Sequence, residues 1–285
     1  MFEVIFEADN GKKFVFGRNG SNYFGMSIGN GMNVALGASQ GFSQIGETVE
    51  TQSVGGRTID VTGEMYGNII QRKDALRSAC APLTAGRLVF QKSHFIRVYV
   101  KAAPTFSAKQ GNGRFKMQFY APFPFYSSLE EKAYTIGRVT KEFRVPVNYS
   151  GTHRFGTRSA AKATNVLNEG DIRVPFRLDI QAQGTCTNVT VTNLNTREYL
   201  GIRGILNAGD RVAIYHDADN SLHAELTSGG VTTDIIGRID DGSTLFELEA
   251  GGNLLAATDD EGGTGLSVQF AFHPARAALY ETYSL

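Results

Sequence analysis

Tryptophan is absent from this 285-residue chain, cysteine occurs twice and proline only seven times. Cys80 and Cys186 lie far apart, with no C-x-x-C spacing and no third ligand beside them. That excludes a disulfide framework or a cysteine-based zinc site and leaves two buried thiols in a reducing compartment. Scarce proline excludes a Pro-rich linker, and the 33 glycines follow no collagen period, so they read as tight turns between many short elements. No apolar run approaches the roughly 18–20 residues of a membrane helix. The opening Met1-Phe2-Glu3-Val4-Ile5-Phe6-Glu7 is a strand pattern and lacks the basic start and long apolar core of a signal peptide. The expectation is a soluble protein made in the cytosol, with no membrane partner.

A net charge of either sign is missing as well, because 28 Lys+Arg balance 28 Asp+Glu. The balance conceals an asymmetry. Residues 1–145 hold 18 basic and 11 acidic side chains, residues 146–285 hold 10 and 17, and Lys162 is the only lysine of the second half. A mid-chain change of sign points to two units with different surfaces, which the length also allows. The basic excess of the first half is too diffuse for a nucleic-acid footprint, so no specific nucleic-acid partner is expected. The expected domains are 1–140 and 141–285, with their junction between Ser127 and Pro146.

What is present is period-2 alternation, which places one face of each strand on a core. Phe2, Val4 and Phe6 are separated from Phe14 and Phe16 by Asp9-Asn10-Gly11, a hairpin signature. Ile59-Val61-Gly63-Met65, Ile96-Val98-Val100 and Phe115-Met117-Phe119 alternate in the first half, and Ile172 to Ile180 and Leu266 to Phe272 in the second. Pro175 places its strand at an edge or a bulge. One segment departs from this rule. Asn68 to Ala81 carries Ile69, Leu76 and Cys80 at helical spacing, with Asn68 as N-cap and Pro82 as stop, and predicts one short helix.

Residues 25–46 hold six glycines without a sustained period and read as a long loop or a weakly paired hairpin, a length usually reserved for function or ordering by a partner. Residues 149–170, small and polar, read as an excursion of the second domain. From Asp171 to Phe272 short strands recur about every ten residues between Asn-, Asp- and Gly-rich turns, which predicts an antiparallel, jelly-roll-like β-sandwich. The fold class is mainly β with one helix.

Catalytic and ligand-binding patterns fail on context. Gly37-Ala38-Ser39-Gln40-Gly41 matches G-x-S-x-G, but a nucleophile elbow needs a strand before it and a helix after it. Asp217-Ala218-Asp219-Asn220-Ser221 opens like a calcium loop, yet Leu222 and Ser228 stand where an EF-hand needs Gly and Glu. Asp259-Asp260-Glu261 reads as a solvated turn. Gly111-x-Gly113 leads into a strand and lacks the phosphate-loop context. The five histidines (94, 153, 216, 223 and 273) form no H-E-x-x-H, and the sequons at Asn148 and Asn188 matter only on secretion. No catalytic residue, metal ligand or cofactor site is expected.

The order of features resembles one family. In the first half a hairpin precedes the strand Thr58-Ile59-Asp60-Val61-Thr62-Gly63-Glu64-Met65-Tyr66-Gly67. The helix with Leu76, the strand Gly86-Arg87-Leu88-Val89-Phe90 and the strand Phe95 to Lys101 follow. Phe115-Lys116-Met117-Gln118-Phe119-Tyr120-Ala121-Pro122-Phe123-Pro124-Phe125-Tyr126-Ser127 closes the half. In the second half Gly201 to Ile214, with Ala208-Gly209-Asp210 between strands, precedes Ser243 to Leu254 with its Ala250-Gly251-Gly252-Asn253 turn. This is similar to the distal tail protein (Dit) of long-tailed phages, over nearly the whole chain. Ala121 stands where the family usually has Asp before the first proline of the aromatic segment.

The resemblance implies a ring-forming, tail-tube-like first domain and a galectin-like second domain, with no catalysis. The protein would be a homo-oligomer, a hexameric baseplate hub at the virion tail tip. It would contact the tail tube protein, a tail-tip or tail-associated protein, and a receptor-binding protein or cell-surface glycan during host attachment. It also implies that Ala277-Ala278-Leu279-Tyr280 docks back on the first domain and that residues 25–46 reach a neighbour. Phe119, Tyr120, Phe123, Phe125 and Tyr126 read either as core and interdomain packing or as the lining of a subunit contact. Arg211, His216 and Asn220 are the candidate glycan contacts. A lectin-like module and another tail-tube-like structural protein are the alternative readings.

Overall fold

A computed structural model of the chain describes residues 3–17, 23–109, 112–136, 139–141, 156–158, 163–217, 221–260, 262 and 265–279. The chain divides into two compact units, one of Met1–Glu130 with Arg276–Leu285, the other Glu131–Ala275. Both are built almost wholly of antiparallel strands.

In the first unit β1 (Glu3–Ala8) and β2 (Lys13–Gly17) form a hairpin whose turn places Gly11 at φ +83°, a left-handed conformation natural to glycine. There follow β3 (Tyr23–Ser39), β4 (Thr48–Met65), the helix α1 (Ile69–Ala79), β5 (Ala85–Phe90), β6 (His94–Lys109), β7 (Asn112–Ala121) and β8 (Tyr126–Ser128). The main sheet has the order β2-β1-β5-β6-β7-β4-β3, and β8 pairs with the start of β6. Neighbouring strands lie about 4.8 Å apart, so β1 and β7, three steps apart, would stand about 14 Å apart in a flat sheet. Instead the rings of Phe6 on β1 and Phe119 on β7 have centroids 5.0 Å apart, and those of Phe16 on β2 and Phe115 on β7 lie 6.2 Å apart. The sheet is therefore rolled until its inner face meets itself, and Val4, Ile59, Leu88, Val98 and Met117 fill the interior.

The helix begins where Asn68 caps it, its Oδ1 accepting the Gln71 N–H at 3.4 Å, and ends at Ala79, with Pro82 shortly beyond. It buries Leu76 and Ala79, with Cys80 just past its end, and leaves Lys73 and Arg77 on its outer side. At the other end of the unit Leu279 packs on the same core.

Of the two readings of residues 25–46, a long loop or a weakly paired hairpin, the structure shows the hairpin. Strand β3 runs to Ser39 and pairs with β4 almost throughout, and only residues 40–47 form the connection. The ladder shifts register between Phe24 and Ser27, Met32 and Val34, and Gly37 and Ala38. The first shift puts its extra residue in β3 and the other two put theirs in β4, so the alternation Met32-Val34-Leu36 runs on through β3.

The second unit starts with β9 (Lys132–Ile136) and the short antiparallel pair β10 (Val139–Lys141) and β11 (Gly156–Arg158). Then come β12 (Ala163–Asn168), β13 (Arg177–Ala182), β14 (Cys186–Asn193), β15 (Tyr199–Leu206), β16 (Arg211–His216), β17 (Leu222–Ser228) and β18 (Val231–Asp234). A single 3-10 turn over Ile236–Arg238 leads to β19 (Gly251–Thr258) and β20 (Leu266–Phe272). Four strands form a sheet in the order β12-β19-β14-β15, and six form a second in the order β18-β17-β16-β13-β20-β9. Alternate residues of both are buried, among them Val191 and Leu255 from the first and Ile180, Val212 and Phe270 from the second. This is a two-sheet β-sandwich. The expected strand Ile172–Ile180 is interrupted, because Pro175 has no N–H for a ladder; Val174 makes an isolated bridge to Leu248 and β13 begins only at Arg177. Half of the excursion expected over 149–170 lies outside the described residues, and the rest includes β11 and β12.

Three asparagines do the work of backbone inside this sandwich. Asn168, Asn193 and Asn253 are fully buried. Asn253 donates to the carbonyls of Glu249 (2.8 Å) and Gly251 (3.2 Å) and accepts the Glu249 N–H (3.0 Å), closing the Ala250-Gly251-Gly252-Asn253 turn. Substituting Asn253→Leu strands those groups in the interior, at a cost of about 1–3 kcal/mol for each one left unpaired. The expected outcome is a lower unfolding midpoint in chemical denaturation followed by circular dichroism.

Candidate assembly surface

Strand β4 pairs with β7 only from Arg57 to Met65. From Thr48 to Gly56 it has β3 alone beside it, so this part of the hairpin is a two-stranded ribbon with both edges open, extending about 27 Å. Met32, Val34, Leu36, Val49 and Val54 of the ribbon are exposed, and at its tip Phe42 and Ile45 are fully exposed. The tip is nonetheless built. The Gln44 side chain accepts the Gly41 N–H at 2.9 Å and donates to Thr48 Oγ1 at 2.9 Å, Gln40 donates to the Gln44 carbonyl at 2.9 Å, and Ser39 bonds to Glu50 across the ribbon. Polar side chains hold the turn together while the large apolar ones face outward, the reverse of what a solitary hairpin needs. Isolated two-stranded hairpins are marginal in water, and long apolar edges are templates for pairing with another chain. Covering Phe42 and Ile45 alone is worth about 1.5–3 kcal/mol each. The sequence signal for this arm was the alternation Met32-Val34-Leu36, hidden among glycines.

The five aromatic residues singled out in sequence divide between core and surface. Phe119 lies at the centre of the rolled sheet against Phe6, and Tyr126 is buried edge-on to Phe90 with centroids 5.2 Å apart. Tyr120 is exposed at the base of the arm, where its hydroxyl occupies the space that a side chain at Gly56 would need. Phe123 and Phe125 are half-buried and pack edge-to-face at 5.4 Å. Next to them Arg57 is 3% exposed. Its guanidinium lies 4.9 Å over the Tyr126 ring and donates to the Ala277 carbonyl at 3.4 Å, while Nε and Nη1 have no acceptor. Its cross-strand partner is Ala121, and among the described residues no carboxylate meets the guanidinium.

In the second unit the candidate glycan residues are not gathered into a site. Arg211 and His216 sit at opposite ends of β16, about 17 Å apart, and Asn220 lies outside the described residues. Tyr215, the aromatic side chain between them on that sheet, has Arg177 at 5.0 Å on one side and the His223 ring stacked at 5.4 Å on the other. Both of its faces are thereby occupied by neighbours from the flanking strands.

The other sequence candidates are absorbed by turns. One oxygen of Asp217 accepts the Ser221 N–H and the other meets His223 Nε2, both at 2.9 Å; Asp260 accepts from Asn188 at 2.7 Å. Arg203 bridges Asp240 and Asp241 and, with the Tyr199 hydroxyl, holds the Asp240 carboxyl below its ordinary range. Burial pushes the Cys80 thiol up to about 12, and both cysteines are buried and outside any disulfide. Among the described residues no three metal-ligating side chains converge.

The fold is similar to that of a phage protein of known structure. The distal tail protein of phage SPP1 (gp 19.1), described as a paradigm of the hub adsorption apparatus in phages infecting Gram-positive bacteria, aligns over 96% of this chain and 99% of its own. The TM-score is 0.63 at 14% identity, a likeness of fold. Chains of the phage P2 baseplate in its activated conformation, with Ca or with Sr, align over 95% of this chain and 97% and 98% of their own. Their TM-scores are 0.48 and 0.49 at 10% and 12% identity. No protein-family model and no curated protein matches the sequence.

Two outcomes follow from this geometry. Brief chymotrypsin digestion of the free subunit is expected to cut after Phe42 before any site in the sheet, as read by mass spectrometry. Arg57→Met is expected to raise the stability of the free subunit by about 1–4 kcal/mol in urea unfolding, since a buried cation that meets no carboxylate among the described residues is replaced by an apolar chain of similar volume.

Proposed function

We propose that this chain is a structural subunit of a phage or prophage tail tip. Six copies form the baseplate hub, placed between the tail tube and the tip or receptor-binding proteins, and the hub serves assembly and host attachment with no catalytic step. The observation that carries this reading is the arm: a built, apolar, two-edged ribbon at one end of a unit whose fold, over nearly its whole length, is that of a phage hub protein. A heterologous, head-to-tail contact closes into a ring when its rotation allows, and needs a different surface on each side of the subunit. The arm is one such surface. The first unit supplies the ring, with Ala277 and Leu279 fastened to it through Arg57 and the core. A lectin reading draws less support, because Tyr215 offers no open face for a sugar and Arg211 stands far from His216.

Light scattering coupled to size exclusion, with negative-stain microscopy of the same peak, tests this directly. A hexamer seen as a ring with a central channel is the expected result. A chain that stays monomeric at every accessible concentration, or infectious tails assembled normally without it, sinks the reading.

A further inference from the structure

Strand β4 loses its second neighbour for a chemical reason. Its last pair with β7 is Arg57 with Ala121, and Pro122 and Pro124, which follow, have no N–H to give a ladder. From Gly56 back to Thr48 the edge of β4 that faced β7 is therefore open over about 27 Å. That stretch holds neither proline nor lysine, the residues that commonly protect such an edge, and Glu50 is its only charge. Val49 and Val54 on it are exposed. At the outer edge of β15 the chain covers its own open groups, as Arg238 donates to the carbonyls of Arg203 (2.8 Å) and Ile205 (3.1 Å). The last described residues arrive where the open lane beside β4 begins. Arg57 Nη2 donates to the Ala277 carbonyl at 3.4 Å, and Leu279 packs on the core of the first unit. The chain thus passes within one arginine side chain of the residue at which β7 leaves β4. Tyr280-Glu281-Thr282-Tyr283-Ser284-Leu285 follow, outside the described residues. Tyr and Thr favour a pleated strand, and the segment has neither glycine nor proline to interrupt one.

We propose that residues 280–285 add to this edge as a further strand, antiparallel to β4, in the lane that β7 vacates. The direction follows from the anchor, since a segment that starts beside Arg57 finds open edge only from Gly56 toward Thr48. The length fits as well: six extended residues span about 20 Å, less than the open stretch. The chain's own tail is favoured over a strand of another copy because it is tethered. A segment held a few residues from its site acts at an effective concentration on the order of millimolar, whereas a second copy competes only at its own concentration. In the free subunit the added strand engages the backbone groups of the edge and keeps it from pairing with other chains. The outer edge of β3 and the tip residues Phe42 and Ile45 are untouched by it, so the proposal stands apart from the ring reading.

Hydrogen–deuterium exchange read by mass spectrometry tests this, comparing the full chain with one ending at Leu279 at several protein concentrations. The truncation leaves every described residue in place, Leu279 in the core included. Alternate amides of residues 48–56 point away from β3, and these are expected to exchange about tenfold or more faster in the truncated chain. Residues 57–65, already paired with β7, are expected to exchange alike in both. A full-length chain with Thr282→Pro and Tyr283→Pro is expected to behave as the truncated one. Successive N–H groups point to opposite sides of a strand, so one of two adjacent prolines falls on the ladder. Equal exchange of residues 48–56 in the full and truncated chains overturns the proposal. Protection that appears only as concentration rises assigns the edge to a second copy and overturns it too. So does a truncation that speeds exchange throughout the first unit, which would make the tail a support of the core instead.

Discussion

Strand β4 has eighteen residues and its partner β7 has ten, and the first unit is organised by that mismatch. Where the two strands overlap, β4 contributes Ile59, Val61 and Met65 to a closed aromatic interior. Past Arg57 the overlap ends, and β4 continues with β3 alone into solvent. The backbone hydrogen bonds of the hairpin are satisfied within itself, but the apolar side chains on it are not covered by anything in the unit. A fold that rolls its sheet tightly at one end and leaves a ribbon at the other exposes Val34, Leu36, Phe42, Ile45 and Val49 on that ribbon.

Core and contact are separated by alternation. On β7 the inward positions Phe115, Met117 and Phe119 are buried, and the outward positions Arg114, Lys116 and Tyr120 are exposed. The same strand therefore stabilises the unit and presents it. This separation is why the aromatic segment divides as it does: Phe119 and Tyr126 hold the interior, Tyr120 marks the base of the arm, and Phe123 and Phe125 lie half-covered between. Arg57 is the exception. It is a charged side chain at an inward position, and burial without a carboxylate opposes stability unless another interaction offsets it. The sandwich solves its buried polar groups differently, with neutral asparagines whose two-sided amides substitute for missing backbone partners.

The mainly β class was legible in the sequence, because period-2 alternation reports directly which face of a strand is dry; Val4, Phe6, Ile96, Val98 and Phe270 are all buried as their spacing implied. The helix was legible from Asn68, Leu76 and Pro82, and the Asn253 turn from its glycines. The arm was not. Glycines and small polar residues dilute its alternation, and the first register shift puts an extra residue into β3. The strand through Pro175 was drawn too long for the opposite reason, since alternation continues across a residue that cannot join a ladder. Histidines and acidic turns that looked available in sequence are engaged by neighbours brought from other strands, as Asp217 is by His223.

By itself the sequence determined where strands form and which of their faces are apolar, because those properties depend on side chains one or two positions apart. Charge order along the chain likewise announced two unlike halves. The tertiary structure alone decided where one strand outlasts its partner, which aromatic rings face inward, and which cations gather over Phe106. Those depend on register between segments as far apart as β4 and β7, more than fifty residues along the chain at Asp60 and Gln118. Register is a property of pairing, and no single strand contains it.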